Sequence, residues 1–362
     1  MKNLYQDGIY REDISRARLM NQDAWRSFNG KQFVITGATG QIGSFFIDAL
    51  LEEAYAEKIS CEVFALGRSR GKFERRFSMY RDDQRLIFVP FNVVGMARSI
   101  HSDIQDGAYF LHLASNTHPK QYAADPIGTI TLNTEGLRHM LDLAVEYKAA
   151  RFLFASSCEI YGENDTPFEM FSEDDLGYLN CNTLRAGYQE GKRCGEALCQ
   201  AYAQAKGLDV VIPRYARVYG STMDRNDTRA IAQFLWNAVD GKNVVLKSEG
   251  TQEYSFIYGA DAVSATATIL AKGHRGEAYN VANLWNSGDI SLRNLAEMIA
   301  IKGNVKVVRE DFRSDGNAYS TVTKAKLNPA KLGRLGWMPW YGIYEGTERT
   351  LQSLKHREGG TT

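Results

Sequence analysis

The stretch Gln32-Phe-Val-Ile-Thr-Gly-Ala-Thr-Gly-Gln-Ile-Gly-Ser44 decides the fold. Its first five residues are apolar and β-branched, the composition of a buried strand. Gly37, Gly40 and Gly43 then punctuate a turn, and Ser44–Glu53 carries helical spacing. In such a strand–turn–helix unit, Gly37 allows the tight turn and Gly40 lets the backbone approach a pyrophosphate. Gly43 lets the helix pack closely on the strand. The helix N-terminus offers free N–H groups and a partial positive charge to that anion. The alternative, a purely structural turn, explains fewer of the three glycines.

Outward from this unit, strand and helix patterns alternate. Cys61–Leu66, Leu86–Phe91, Tyr109–Ala114, Arg151–Ser156 and Asp209–Arg214 read as buried strands, with helices over Thr134–Lys148 and 188–206. Such alternation predicts right-handed βαβ units in an α/β fold, a Rossmann-type doubly wound parallel sheet. After about residue 215 the alternation weakens, which predicts a smaller mixed α/β C-terminal substrate lobe. The expected domains are an N-terminal arm (1–30), a dinucleotide-binding domain (31–214), a substrate lobe (215–350) and a polar tail (351–362).

Composition narrows the function classes. Among 362 residues, 43 basic and 43 acidic side chains cancel, so no global field draws the chain to nucleic acid or an anionic membrane. No apolar run approaches the length of a membrane span, and the N-terminus has neither signal-peptide nor transit-peptide character. Five cysteines without a C-x-x-C pair argue against a disulfide framework, and six histidines form no metal set. The expectation is a cytoplasmic globular protein with no metal.

The end of the second strand bears on which dinucleotide is held. An acid there accepts hydrogen bonds from a ribose 2′-hydroxyl, whereas arginine suits a 2′-phosphate. Here Gly67 stands in the acid's place and Arg68-Ser69-Arg70 follow. That favours NADP(H) over NAD(H), the alternative being a turn followed by solvated arginines.

Tyr188 and Lys192 are four apart, on one face of a helix. A phenol titrates near ~10 and is a poor base at neutral pH, so a neighbouring ammonium is the expected means of lowering it. The strand 151–156 delivers Ser157 to its C-terminal end, where ligands sit in open α/β sheets. Cys158 and Glu159 follow. A carboxyl group in a closed pocket can be tuned for proton transfer, while Cys158 reads equally well as packing.

With these motifs the chain resembles extended short-chain dehydrogenases/reductases of the NAD-dependent epimerase/dehydratase family, over about residues 31–350. Further similar pieces are His112-Leu-Ala-Ser115, Asn133, Arg214 to Gly220, Gly276 to Asn280 and Leu335-Gly-Trp337. The resemblance implies cofactor contacts from Gly37, Thr39, Gly40, Gln41, Ile42, Gly43, Arg68, Ser69, Arg70, Asn92, Val93, Leu113, Ala114, Ser115, Asn133, Tyr188, Lys192 and Arg214. It implies a catalytic set of Tyr188, Lys192, Ser157, Glu159 and Cys158, and substrate contacts from Thr117, Arg217, Arg229 and Tyr254. The implied partner is a nucleotide-diphosphate sugar, and the implied assembly a homodimer through the helices 134–148 and 188–206.

The stretch Glu173–Asn180 with Arg185-Ala-Gly-Tyr188 and Glu190-Gly-Lys-Arg193 is similar to UDP-glucuronate decarboxylases. Three departures stand out. Tyr254 occupies a place where the family carries Arg, and Arg217 one where it carries Asn. Cys158 replaces the Ser or Asp of the family triplets. The implied activity is modification of a nucleotide-linked sugar through a 4-keto intermediate, for cell-surface polysaccharide precursors. The alternative is net NADPH-dependent reduction of a nucleotide-linked keto sugar or alditol precursor.

Overall fold

The computed structural model describes residues 4–95, 99–163, 169–283, 289–310 and 323–359. Seven strands come first: β1 (Lys31–Thr36), β2 (Cys61–Gly67), β3 (Leu86–Pro90), β4 (Tyr109–His112), β5 (Arg151–Phe154), β6 (Ser156–Ser157) and β7 (Val210–Tyr215). Seven more follow: β8 (Arg217–Tyr219), β9 (Val244–Leu246), β10 (Glu253–Tyr258), β11 (Ala278–Val281), β12 (Asp289–Ser291), β13 (Val307–Arg309) and β14 (Lys324–Ala325).

The central sheet runs β11-β7-β5-β4-β1-β2-β3, with β6 beside β7, and every pairing in it is parallel. The chain winds outward from β1 to β3, then restarts at β4 on the other side of β1. Strand order therefore reverses between β1 and β4, and a crevice opens at their carboxyl ends. This is the Rossmann-type doubly wound sheet that the alternating pattern predicts.

Alternate side chains enter two separate cores, as the period of a strand requires. Phe33 and Ile35 face one layer, and Val34 the other. Phe152 and Phe154 join Val34, packing with Leu137, Leu141 and Ala144 of the helix Leu137–Glu146 and Cys199 of the helix Ala186–Lys206. Leu137, Leu141 and Ala144 thus face the sheet rather than a partner chain.

The first layer holds the helix Gln41–Ala56, the helix Gly8–Leu19 and the helix Gly259–Lys272. Tyr10, Ile14, Trp25 and Phe28 of the N-terminal segment are fully enclosed there. Trp25 and Phe46 lie with ring centres 5.4 Å apart. Arg18 donates to the buried Glu53 at 2.7 Å.

Residues beyond 215 serve both layers. β11 and the helix Gly259–Lys272 complete the central sheet and its cover, whereas β12, β10 and β14 form a separate sheet with β8 added to β10. Residues 351–357 belong to the helix Ile343–Arg357, and Leu351 and Leu354 are buried under it. Their apolar spacing anchors that stretch, so a polar tail starts only after it. Among the described residues, no helix is long and apolar enough to cross a membrane.

Candidate active site

The glycine loop closes β1 onto the helix Gln41–Ala56. Gly37 sits at φ +70°, and a Cβ there would lie 2.7 Å from the Ala114 nitrogen and the Leu113 carbonyl carbon. Any side chain would collide with the backbone that follows β4. A Cβ at Gly43 would meet the Gly37 oxygen at 2.4 Å. Gly40 occupies the N-cap in extended backbone and no side chain caps the helix. Bare backbone and an uncapped helix N-terminus fit a dinucleotide pyrophosphate.

A cavity of about 570 Å³ opens from this loop. Gly37, Gly40, Gln41, Ile42 and Gly43 line one end, with Leu113, Ala114, Ser115 and Thr117 after β4. Ser157, Cys158, Glu159, Tyr188 and Lys192 form the middle, and Arg217, Arg229 and Tyr254 close it from the lobe.

Tyr188 and Lys192 emerge from the first two turns of the helix Ala186–Lys206, both buried. The Tyr188 ring stacks on Tyr122, centres 4.7 Å apart and planes 16° from parallel. Lys192 Nζ donates to the Ala155 carbonyl at 2.7 Å and lies 5.9 Å from the Tyr188 ring centre. Burial brings its ammonium down to about 7. Burial also pushes the Tyr188 phenol up, and a hydrogen bond with Ser157 pulls it back. The Ser157 hydroxyl and, behind it, the Arg229 guanidinium favour the phenolate against that burial.

The model of the family described as "NAD dependent epimerase/dehydratase family" matches residues 33–282. The chain belongs to this family. UDP-glucuronic acid decarboxylase 1 of Danio rerio is 29% identical over 326 residues, covering 89% of this chain and 72% of that one. In fold, the chain resembles DesIV, the dTDP-glucose 4,6-dehydratase of Streptomyces venezuelae, solved with NAD and TYD bound. The TM-score is 0.76 at 23% identity, over 91% of this chain and 98% of that one. UDP-glucuronic acid 4-epimerase from Bacillus cereus, solved with UDP-glucuronic acid and NAD, gives a TM-score of 0.73 at 21% identity, over 90% and 99%.

In this member of the family the cavity has a cationic wall. Arg185 Nη2 and Gln189 Nε2 donate to Glu159 Oε2 at 2.9 and 3.3 Å, and Arg217 Nη2 donates to Oε1 at 3.1 Å. Desolvation works against the charged form, but the two guanidiniums outweigh it and hold Glu159 below the ordinary carboxylate range. Glu159 is thus an ion-paired carboxylate between two guanidiniums. The Arg217 guanidinium lies 3.5 Å from the centre of the Tyr254 ring, a cation–π contact across the paired strands β8 and β10. A guanidinium thus reaches position 254 from the adjacent strand. Arg217 Nη1 also reaches Cys158 Sγ at 3.7 Å, and burial pushes that thiol up.

Other expected positions lie off the cavity wall. Asn133, in a π-helical turn (Leu132–Gly136), accepts from Ser115 Oγ at 3.0 Å, so it orients a lining residue. Arg214 is held by Glu196 at 2.7 Å, by the Tyr161 hydroxyl and by the Glu173 carbonyl, a framework role beneath the site. Thr39 belongs to the loop but not to the wall. Gly67, Arg68, Ser69 and Arg70 sit at the end of β2, the last three exposed. Ser69 caps the helix Arg70–Arg76, and Arg70 lies over the Phe88 ring. Asn92 accepts from the Val94 N–H, with Val93 beside it.

Sequence reading assigned no role to Arg185, Gln189 or Tyr122. Arg185 and Gln189 lie three residues before and one after Tyr188, and helical spacing could have drawn attention to Arg185. Tyr122 carries no such signal, because its neighbour is 66 positions away in the chain.

Proposed function

We propose that the chain oxidises a hydroxyl of a nucleotide-linked sugar to a 4-keto intermediate and completes a redox-neutral change on it, holding NADP(H) in preference to NAD(H). The observation that carries this reading is that Tyr188 lines one cavity together with the glycine loop, Ser157, Lys192 and the arginines of the lobe. When bound, the dinucleotide supplies a reversible hydride acceptor. Tyr188 Oη takes the sugar hydroxyl proton, with Ser157 fixing the same oxygen by a hydrogen bond. Burial brings Lys192 down to about 7, so at neutral pH it can both give and take a proton near the tyrosine.

The diphosphate of the sugar nucleotide suits a wall carrying Arg185, Arg217, Arg229, Lys192 and Lys247 against, among the described residues, one lining carboxylate, Glu159. Glu159, kept ionised, and Cys158, kept as a neutral thiol, leave Tyr188 as the principal proton carrier. That arrangement favours chemistry centred on one hydroxyl. The bare Gly67 and the exposed Arg68 and Arg70 support the 2′-phosphate and also favour a second reading, a net NADPH-dependent reductase. The relatives crystallised with NAD make this preference the point to measure.

The setting proposed is the cytoplasm, where thiols stay reduced, in keeping with five free cysteines. The domain division proposed is the arm, the nucleotide-binding sheet and the substrate lobe. A homodimer is proposed through the solvent sides of the helices Leu137–Glu146 and Ala186–Lys206, which lie side by side where Tyr202 donates to Asp142. Light scattering of the purified chain should give twice the monomer mass.

Mass spectrometry of the protein-bound dinucleotide, followed by a panel of UDP-, dTDP- and CDP-sugars, tests the reaction. Product should form with no net change in nicotinamide absorbance, and Tyr188→Phe should lower turnover about a hundredfold or more. Stoichiometric loss of NADPH would instead establish the reductase. Undiminished turnover by Tyr188→Phe would end both readings.

A further inference from the structure

After β4 the chain runs through the segment 117–124, which is fixed at both ends. Before it, Asn116 Nδ2 donates to Thr129 Oγ1 at 3.0 Å. After it, Asp125 caps the helix Pro126–Thr131 by accepting the Gly128 N–H at 2.9 Å. Thr117, Pro119 and Tyr122 of the segment line the cavity. Its helix, Pro119–Ala124, is too short to hold itself, because isolated helices of under about a dozen residues are marginal in water.

Among the described residues, the hydrogen bonds this strap makes to distant parts of the chain go to the lobe. The Lys120 N–H reaches Thr228 Oγ1 at 3.4 Å, and His118 Nδ1 faces Asp227 Oδ1 at 2.8 Å. Burial works against charge on Asp227, but Arg229 and His118 outweigh it and hold the carboxyl well below the ordinary range. An ionised carboxylate only accepts, so His118 carries a proton on Nδ1. The bond is charge-assisted and shielded, the Asp227 side chain being 1% exposed and that of His118 18%. Asp227 is itself fixed: Oδ1 accepts the Arg229 N–H and Oδ2 accepts Arg229 Nε, both at 2.9 Å. Arg229 donates onward to the Val218 carbonyl at 3.0 Å and to Gln41 Oε1 of the glycine-loop helix at 2.9 Å. The strap therefore hangs on a rigid acceptor.

What the strap delivers is Tyr122. The His118 carbonyl accepts the Tyr122 N–H at 3.2 Å, one helical turn on. The Tyr122 ring lies against Tyr188 with centres 4.7 Å apart and planes 16° from parallel. The second side-chain torsion of a tyrosine is soft, so packing sets the plane of the ring.

We propose that the His118–Asp227 pair is a clasp by which the lobe holds the strap against the site, and that both are positioning residues for Tyr188, acting through the Tyr122 ring. This rests on Tyr188 being the proton carrier of the proposed reaction. The clasp makes the setting of that phenol depend on the lobe being seated on the sheet.

The test uses the full-length protein with meta-fluorotyrosine at position 188 alone, read by fluorine NMR. Tyr122→Leu gives the resonance of the unstacked ring. His118→Ala should move the resonance most of the way to that position. Amide exchange over 117–124 should quicken about tenfold, the effect of losing one hydrogen bond to a charged group, while exchange in the buried helix Gly8–Leu19 stays as in the parent. His118→Asn keeps an N–H donor near Nδ1 and should return both readouts toward the parent. The proposal is overturned if His118→Ala leaves the resonance at the parent position, or if His118→Asn behaves as His118→Ala does. It is also overturned if the helix Gly8–Leu19 quickens equally, since the pair then supports the whole fold rather than the strap. Neither readout requires turnover, so failure of the proposed reaction is read separately, in the Tyr188→Phe assay.

Discussion

Glu159 and Lys192 show how two buried charges in one cavity reach opposite settings. Glu159 has two guanidiniums on it and stays ionised, while Lys192, whose ammonium donates to the Ala155 carbonyl, is drawn down by burial to about 7. Replacing Glu159 by Gln leaves Arg185 and Arg217 facing each other without a counter-charge. Loss of one partner from such a buried cluster costs about 3 kcal/mol, so the urea midpoint should fall. The folded Glu159 value lies below the unfolded one, so its contribution is present above the ordinary carboxylate range and is lost as pH falls through the folded value. For Lys192 the unfolded chain binds the extra proton between about 7 and 10.5. Stability should therefore rise with pH across that window, and Lys192→Met should remove the rise in urea midpoints measured from pH 7 to 10. The spacing of Tyr188 and Lys192 was legible in the sequence. The clamping of Glu159 by Arg185 and Arg217 was not, because those residues come from separate elements and meet only through tertiary packing.

The N-terminal helix Gly8–Leu19 and the helix Gln22–Arg26 illustrate the limits of reading single elements. Their polar composition gives only a helical arm, with few apolar positions to say what they touch. In the fold those few positions, Tyr10, Ile14 and Trp25, are enclosed against Phe45, Phe46 and the helix Gly259–Lys272. The segment is therefore part of the main core. Trp25→Ala should cost about 3–5 kcal/mol, the range for emptying a large buried ring. Thermal melting should show one transition shifted downward. A separate early transition would mean that the segment unfolds independently. The short helix Pro119–Ala124 makes a related point. It begins after His118 and delivers Tyr122 under Tyr188, a placement set by tertiary contacts with residues 227–228 rather than by its own pattern.

At the scale of the molecule, one buried carboxylate gathers three distant parts of the chain. Asp13 accepts from Arg349 Nε at 2.8 Å, from the Tyr341 hydroxyl at 3.2 Å and from the Tyr258 hydroxyl. Asp261 lies nearby and accepts the Trp340 and Tyr341 N–H groups. Burial raises Asp13 to about 6 and Asp261 to about 7. An acid raised in the folded state contributes stability below its unfolded value and loses it as pH climbs through the folded value. These two groups should lower stability between pH 4 and 7. The double variant Asp13→Asn, Asp261→Asn should flatten that part of a urea-midpoint profile, and an unchanged slope would count against the assignment.

The sequence by itself determined the alternation of strands and helices, the glycine turn and the Tyr188–Lys192 pair. Each depends on residues close together in the chain, where periodicity and sterics act directly. It also located the exchange of Arg217 for a cation at position 254, although not its meaning. Only the tertiary structure decided that Arg217 covers the Tyr254 ring and shares Glu159 with Arg185. Likewise, only the fold shows that Arg214 is framework, and that Asp227 reaches the glycine loop through Arg229. Those outcomes depend on which strands lie side by side and on how deeply each charge is buried. Both are fixed by packing between segments tens to hundreds of residues apart.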